Sequence, residues 1–172
     1  MILCHPVHEL VRKFMKRPFI IIVLVAVSCV GYAQDLKKVK ITEVESFIAN
    51  SKTPLIINFW ATFCKPCMAE IPHFQKMAEK YKSKGLQVIF ISLDMQDDYP
   101  GNVSAFIKKR KMSTWWLDET NADYFCPKID QAWSGVIPAT VFINNKNGYR
   151  KFIEESLTES NLEEEIKAVI SN

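Results

Sequence analysis

The chain has 172 residues, which is enough for one domain with a substantial core. Its composition (48% hydrophobic, 24% charged, five glycines and eight prolines) is that of a globular protein and excludes a collagen-like or low-complexity chain. Residues 1–33 hold four of the 22 basic residues and one of the 19 acidic residues, so the remainder carries 18 of each. The formal net charge of +3 therefore belongs to the amino end, and nothing in the charge of the remainder favours binding to nucleic acid.

The amino end has the order of a secretory signal. A basic stretch at 12–17 precedes an almost wholly apolar run at 19–30, and small residues at 31 and 33 suit a signal peptidase. We predict that residues 1–33 are a signal peptide or an uncleaved N-terminal membrane anchor, although the apolar run is shorter than the ~20 residues of a spanning helix. This predicts an exported protein, periplasmic or extracytoplasmic.

Two details of the amino end leave alternatives open. Met15 begins a complete signal by itself, which would make residues 1–14 a gene-model extension. Cys29 is a poor match to a bacterial lipoprotein signal, and lipidation there would give a second kind of membrane tether.

Hydrophobic periodicity predicts a domain over residues 34–172 in which strands and helices alternate. The first half of the domain is predicted to contain a helix at 44–49, a buried strand at 55–61, a helix at 65–84 kinked by Pro72 and ended by Gly85, and a buried strand at 86–93. A loop at 96–101, a helix at 103–112, a strand at 114–117 and an irregular segment at 121–134 follow. The pattern then predicts antiparallel strands at 139–143 and 149–153 and a helix at 162–170 capped by Ser160 with Glu163. Two buried strands joined by a helix form a parallel βαβ unit, which indicates an α/β fold.

Cys64 and Cys67 lie three residues apart where the first buried strand passes into a helix. Positions i and i+3 are neighbours on a helix face, so the two Cα atoms can approach the ~5.5–6 Å separation of a disulfide. The N–H groups of a helix N-terminus favour a thiolate. We predict that Cys64 is the attacking thiol and Cys67 the resolving thiol, and that the pair carries the electrons without a cofactor.

Other interpretations of the cysteine pair are weaker. A structural zinc site needs a second ligand pair, and the only Cys and His after Cys67 are Cys126 and His73, so no metal is expected. A Cu(I)-binding metallochaperone using Cys64, Cys67 and His73 is the alternative function. Cys126 is either a buried thiol or a second redox centre.

Four segments together carry a resemblance to a known family: 58–62 (NFWAT), 64–67 (CKPC), 70–72 (EIP) and 135–140 (GVIPAT). They resemble the thioredoxin-fold superfamily, and within it the exported TlpA/ResA-like branch, over nearly all of residues 40–172. The resemblance implies a three-layer fold with a central mixed β-sheet flanked by helices. It also implies a thiol–disulfide oxidoreductase that reduces protein partners such as apocytochrome c and receives electrons from a membrane or periplasmic donor.

The resemblance also implies roles for single residues. Pro138 aligns with a cis-proline that faces the cysteine pair and leaves the backbone of Ile137 free to pair with an extended substrate. Glu70, one turn after Cys67, aligns with an acidic position and can accept a proton from the Cys67 thiol; the alternative is a solvated helix glutamate.

The surface around the pair completes the predicted site. We place Trp60, Lys65 and Pro66 in the substrate-binding surface together with Ile137 and Pro138. Asn58 stands where thioredoxin itself has a buried aspartate, so proton transfer must be arranged differently here.

Overall fold

The computed structural model describes residues 36–171. The predicted signal or anchor at 1–33, with Met15 and Cys29, lies outside this range, so the predictions made for it stay predictions. Within the described range no helix is both long enough and apolar enough to cross a membrane.

Strands and helices alternate along the described residues. The strands are β1 (Leu36–Val39), β2 (Leu55–Trp60), β3 (Gln87–Ser92), β4 (Thr114–Leu117), β5 (Ala139–Asn144) and β6 (Tyr149–Ile153). The α-helices are α1 (Ile41–Asn50), α2 (Lys65–Lys80), α3 (Gly101–Arg110), α4 (Ala122–Ile129) and α5 (Glu159–Ile170), and short 3₁₀ turns lie at Lys82–Lys84 and Gln96–Asp98.

The six strands of residues 36–171 join one mixed sheet in the order β1-β4-β3-β2-β5-β6. The first four strands are mutually parallel, whereas β5 is antiparallel to β2 and β6 is antiparallel to β5. β2 lies near the centre and every one of its residues is buried, as its continuous apolar run predicts. The α/β fold predicted from the sequence is confirmed.

Alternate residues of β2 face two separate cores. Leu55, Ile57 and Phe59 pack in a cluster with buried residues of α1 and α4, whereas Ile56 and Trp60 pack in a cluster with α2, α3 and α5. The sheet is therefore covered by helices on both faces, which gives the predicted three layers. Asn58 shares the face of Ile56 and Trp60, because side chains alternate along a strand.

Three element predictions need correction. The segment 121–134 is not wholly irregular but contains α4, in which Phe125, Cys126 and Ile129 are buried. Burial of this apolar face outweighs Pro127, whose ring nitrogen cannot donate a helical hydrogen bond. β1 was not predicted at all, and α2 ends at Lys80 rather than at residue 84.

The predicted cap of the last helix is also wrong. The N-cap residue of α5 is Thr158, whose hydroxyl accepts a hydrogen bond from the N–H of Asn161 at 3.2 Å. Glu163 bonds outward instead, to Lys80 and Tyr81 of the neighbouring segment. These longer-range bonds occupy the carboxylate that the predicted capping box required.

We expect Thr158→Ala to lower the free energy of unfolding by about 1 kcal/mol, because the N–H of Asn161 loses its acceptor. Ser160→Ala, at the position favoured by the sequence pattern, should cost less than half of that. Urea denaturation of the two single variants checks this, and an equal or larger loss for Ser160→Ala would contradict the assigned cap.

Candidate active site

Cys64 and Cys67 form a disulfide at the N-terminus of α2, with their Cα atoms 5.3 Å apart. Cys64 is the N-cap residue, and its Sγ accepts a hydrogen bond from the N–H of Cys67 at 3.2 Å. Cys64 retains 7% exposure, whereas Cys67 is fully buried. The more accessible sulfur is therefore the one at the helix start, in line with the roles predicted for the two residues.

The turn between β2 and α2 presents Cys64 to the surface. The N–H of Cys64 bonds to the carbonyl of Ala61 at 3.1 Å, which closes the turn. Pro66 lies in the first turn of α2, where its missing N–H leaves no hydrogen bond unmade. Lys65 and Pro66 are exposed beside the disulfide, so both are accessible to a bound partner.

Trp60 does not belong to the surface of the site. It is fully buried, its Nε1 donates to the hydroxyl of Thr114 at 3.1 Å, and its ring lies 4.8 Å from that of Phe106. The prediction that it contacts substrate is therefore wrong. As the last residue of β2 it faces the helix layer, where it packs with the cysteines as part of the core.

Ile137 and Pro138 lie against the disulfide from a second loop. The carbonyl oxygen of Ile137 is 3.7 Å from Sγ of Cys64, and the Ile137–Pro138 peptide bond is cis, as predicted. The paired part of β5 begins at Ala139, so Ile137 precedes the sheet ladder. Its backbone is thus placed next to the reactive sulfur and outside the paired strands.

Glu70 is buried at 1% exposure, one helical turn after Cys67. Oε1 accepts from the amide of Asn58 at 2.8 Å, and Oε2 accepts from the N–H of Leu157 at 2.7 Å and from the hydroxyl of Ser156 at 3.3 Å. The alternative of a solvated helix glutamate is therefore wrong. Burial raises the pKa of Glu70, and the hydrogen bonds from Leu157, Asn58 and Ser156 oppose that rise.

Sequence reasoning missed how Asn58 connects to Glu70. The Asn58 amide donates to Thr140 at 3.0 Å as well as to Glu70, and its buried Oδ1 has no hydrogen-bond partner among the described residues. Asn58 pairs directly with Thr140 across the antiparallel β2–β5 ladder. The alternation of side chains along a strand was the available signal, because it places Asn58 on the face of the sheet that α2 covers.

Among residues 36–171, no group of three or more His, Cys, Asp or Glu side chains is placed to hold a metal ion. His73 is half-buried, and its Nδ1 has no hydrogen-bond partner in the described part of the chain. The structure thus does not bring His73 and the cysteine pair together as a ligand set for the Cu(I) alternative.

Cys126 is a buried free thiol of α4. Burial, assisted by the charges of Glu154 and Asp123, raises its pKa to about 11. A thiol with that pKa is almost entirely protonated at neutral pH and is a poor nucleophile, so the geometry favours the buried-thiol interpretation over a second redox centre.

A cavity of about 370 Å³ opens beside the disulfide, between the 61–63 turn and the loops after β3 and β4. Its lining includes Phe63, Met95, Trp116, Phe125 and Ile137. Phe63 is 61% exposed and Met95 is 70% exposed, and Val136, next to Ile137, is exposed too. Large exposed apolar side chains at one site indicate an interaction surface. The sequence pattern gave no signal for Met95 or Val136.

The raised pKa of Glu70 makes stability depend on pH. The folded protein holds this proton more tightly than the unfolded chain, so the stabilisation is complete below the unfolded pKa and is lost as pH rises through the folded pKa. We expect the oxidised wild-type protein to lose stability relative to Glu70→Gln as pH rises above the ordinary glutamate pKa of about 4.5, by about 1.4 kcal/mol per unit of pKa difference.

Urea denaturation across that pH range measures this difference. Glu79→Gln, at an exposed position of the same helix, is the matched control and should follow the wild-type pH profile. A stability difference between wild type and Glu70→Gln that stays constant with pH would contradict the prediction.

Comparison of the sequence with those of known proteins finds relatives of this chain. A thiol-disulfide oxidoreductase ResA from Bacillus thuringiensis subsp. konkukian is 32% identical over 124 residues, which cover 67% of this chain and 62% of the relative. A protein of the same name from Oceanobacillus iheyensis is 30% identical over 109 residues, covering 63% of this chain and 53% of the relative. The matches thus span less than two thirds of either relative's length.

The fold has close counterparts among solved structures. The thioredoxin-related protein from Neisseria meningitidis serogroup B has a TM-score of 0.61 and 29% sequence identity, over 73% of this chain and 91% of that chain. The AhpC/TSA family model matches residues 31–148, which is more than half of the chain and includes both cysteines and Pro138. This protein therefore belongs to the AhpC/TSA family and has its thioredoxin-like fold.

Proposed function

We propose that this protein is an extracytoplasmic thiol–disulfide oxidoreductase that reduces disulfides in protein partners through Cys64 and Cys67. The observation that carries the proposal is the disulfide at the N-terminus of α2, with its accessible sulfur 3.7 Å from the carbonyl oxygen of Ile137. The ResA proteins to which the chain is similar are named as thiol-disulfide oxidoreductases, which supports the same chemistry.

The reaction proceeds in two exchanges. In the reduced protein the Cys64 thiolate attacks one sulfur of the substrate disulfide; a mixed disulfide forms, and the other substrate sulfur leaves as a thiolate that takes up a proton. The Cys67 thiolate then attacks Sγ of Cys64, which re-forms the internal disulfide and releases the second substrate sulfur as a thiolate that takes up a proton. Two electrons pass to the substrate, and the pair needs no further cofactor.

Glu70 is the proton acceptor in the second exchange. Cys67 must lose its proton before it attacks, and Glu70 follows it by one turn in the same buried layer. A raised pKa makes the Glu70 carboxylate a stronger base than an exposed one. Asn58 cannot ionise and instead holds Glu70 in place through a hydrogen bond. Glu70 therefore serves as the proton acceptor in place of the aspartate that thioredoxin has at the position of Asn58.

The substrate is an extended segment of a protein. The backbone of Ile137, placed before the sheet ladder, is free to form main-chain hydrogen bonds with such a segment next to Pro138. Lys65, Pro66 and the exposed apolar rim of Phe63 and Met95 supply side-chain contacts around it. Apocytochrome c is a candidate substrate through the TlpA/ResA-like resemblance.

The pattern of residues 1–33 supports export, and an uncleaved amino end would tether the domain to the membrane. A donor in the membrane or periplasm would then return electrons to the Cys64–Cys67 disulfide after each cycle.

We expect Cys67→Ser to accumulate mixed disulfides through Cys64, because the second exchange cannot occur, and Cys64→Ser to trap none. Non-reducing gels of extracts from cells expressing each variant, in a Cys126→Ala background, measure the trapping. Cys64→Ser with Cys67→Ser together is the control that should also trap nothing. Equal trapping by both single variants would contradict the assigned order of attack.

A further inference from the structure

Asp94 is a buried carboxylate on the side of the turn that carries Cys64. It lies two residues beyond the end of β3 and is 3% exposed. Within residues 36–171 no cationic side chain forms an ion pair with it. Its carboxylate instead accepts hydrogen bonds from the N–H of Thr62 at 2.9 Å, from the Thr62 hydroxyl, and from the Ser92 hydroxyl at 2.6 Å.

The backbone of Asp94 is itself held in place. Its N–H donates to the hydroxyl of Ser92 at 3.2 Å, and its carbonyl accepts from Nε1 of Trp116 at 2.8 Å. These two bonds fix Asp94 between the ends of β3 and β4. Because the backbone on both sides of the Asp94 side chain is hydrogen-bonded, its carboxylate has a fixed position and can fix the position of the group that donates to it.

Thr62 links Asp94 to the reactive cysteine. It lies in the 61–63 turn between β2 and α2, two residues before Cys64, and both of its hydrogen-bond donors are directed at Asp94. The residue between them, Phe63, is mostly exposed and so provides little packing of its own. The Thr62–Asp94 contact thus holds the turn to the end of β3, together with the burial of Ala61 and the bond from the N–H of Leu93 to the carbonyl of Trp60.

We infer that Asp94 is a positioning residue for Cys64, which it holds through Thr62 so that Sγ meets the N–H of Cys67. That N–H stabilises the thiolate that attacks a disulfide, so a displaced turn slows the attack even when the fold survives. This inference rests on the proposed function of Cys64 as the nucleophile. It assigns Asp94 and Thr62 a part in the chemistry that neither the cysteine motif nor Glu70 supplies.

The test is the second-order rate constant for reaction of the reduced protein with 5,5′-dithiobis(2-nitrobenzoate), measured in a Cys126→Ala background. We expect Thr62→Val, which keeps the shape of the side chain but removes the hydroxyl, to lower the rate constant about fivefold. Thr62→Ser keeps the hydroxyl and should restore the rate to within about twofold of wild type. Asp94→Asn should lower it at least as far as Thr62→Val.

Thr42→Val is the matched control, because it makes the same substitution at an exposed residue of α1 rather than in the turn. It should leave the rate constant within about twofold of wild type. Since the two partners act as one unit, the double variant of Thr62→Val with Asp94→Asn should react no more slowly than Asp94→Asn alone.

Three results would overturn the positioning role: a wild-type rate for Thr62→Val, a loss for Thr42→Val equal to that of Thr62→Val, or additive losses in the double variant. Failure of the proposed function looks different. In that case the wild-type protein itself would show no reaction at Cys64, and the comparison among Thr62 variants would show no difference to explain.

Discussion

Burial of β2 on both faces is the constraint on which the rest of the structure depends. A strand covered on both faces cannot tolerate a shift of register, because a shift by one residue would exchange the two sets of side chains between the cores. The strand therefore ends at a fixed place, and the turn after it delivers Cys64 to the N-terminus of α2. The same fixed register places Asn58 opposite Thr140 and towards Glu70.

Polar groups buried around the cysteines give the site its chemistry, and the central one, Glu70, is held by more than one partner. Glu70 is bonded from β2 by Asn58 and from the segment before α5 by Leu157, so the last helix and the central strand meet at one carboxylate. Because that carboxylate is dehydrated, it holds its proton more tightly than an exposed glutamate does. Burying these polar groups costs free energy. They lie in a small region next to the sulfurs, where proton transfer is needed.

Local patterns predicted those parts of the molecule that depend on neighbours in sequence. The spacing of Cys64 and Cys67 and the apolar run of β2 needed no knowledge of the tertiary structure. The failures at the site and in α4 involve distant contacts: Trp60 faces Thr114 rather than the surface, and α4 forms in spite of Pro127 because its apolar face is buried. Likewise, the environment of Glu70 is completed by Leu157, which lies 87 positions later and leaves no trace in local periodicity.

The most direct measurement is the redox equilibrium of the Cys64–Cys67 pair against glutathione, followed by alkylation and mass spectrometry of the peptide that holds both cysteines. The pair should pass from no free thiol to two in a single transition as the buffer becomes more reducing, with a tenfold change in the equilibrium per about 30 mV, while Cys126 stays unmodified in the folded protein. A pair that stays in one form across the whole range, or a transition that frees only one thiol, would contradict a function based on reversible exchange at these two sulfurs.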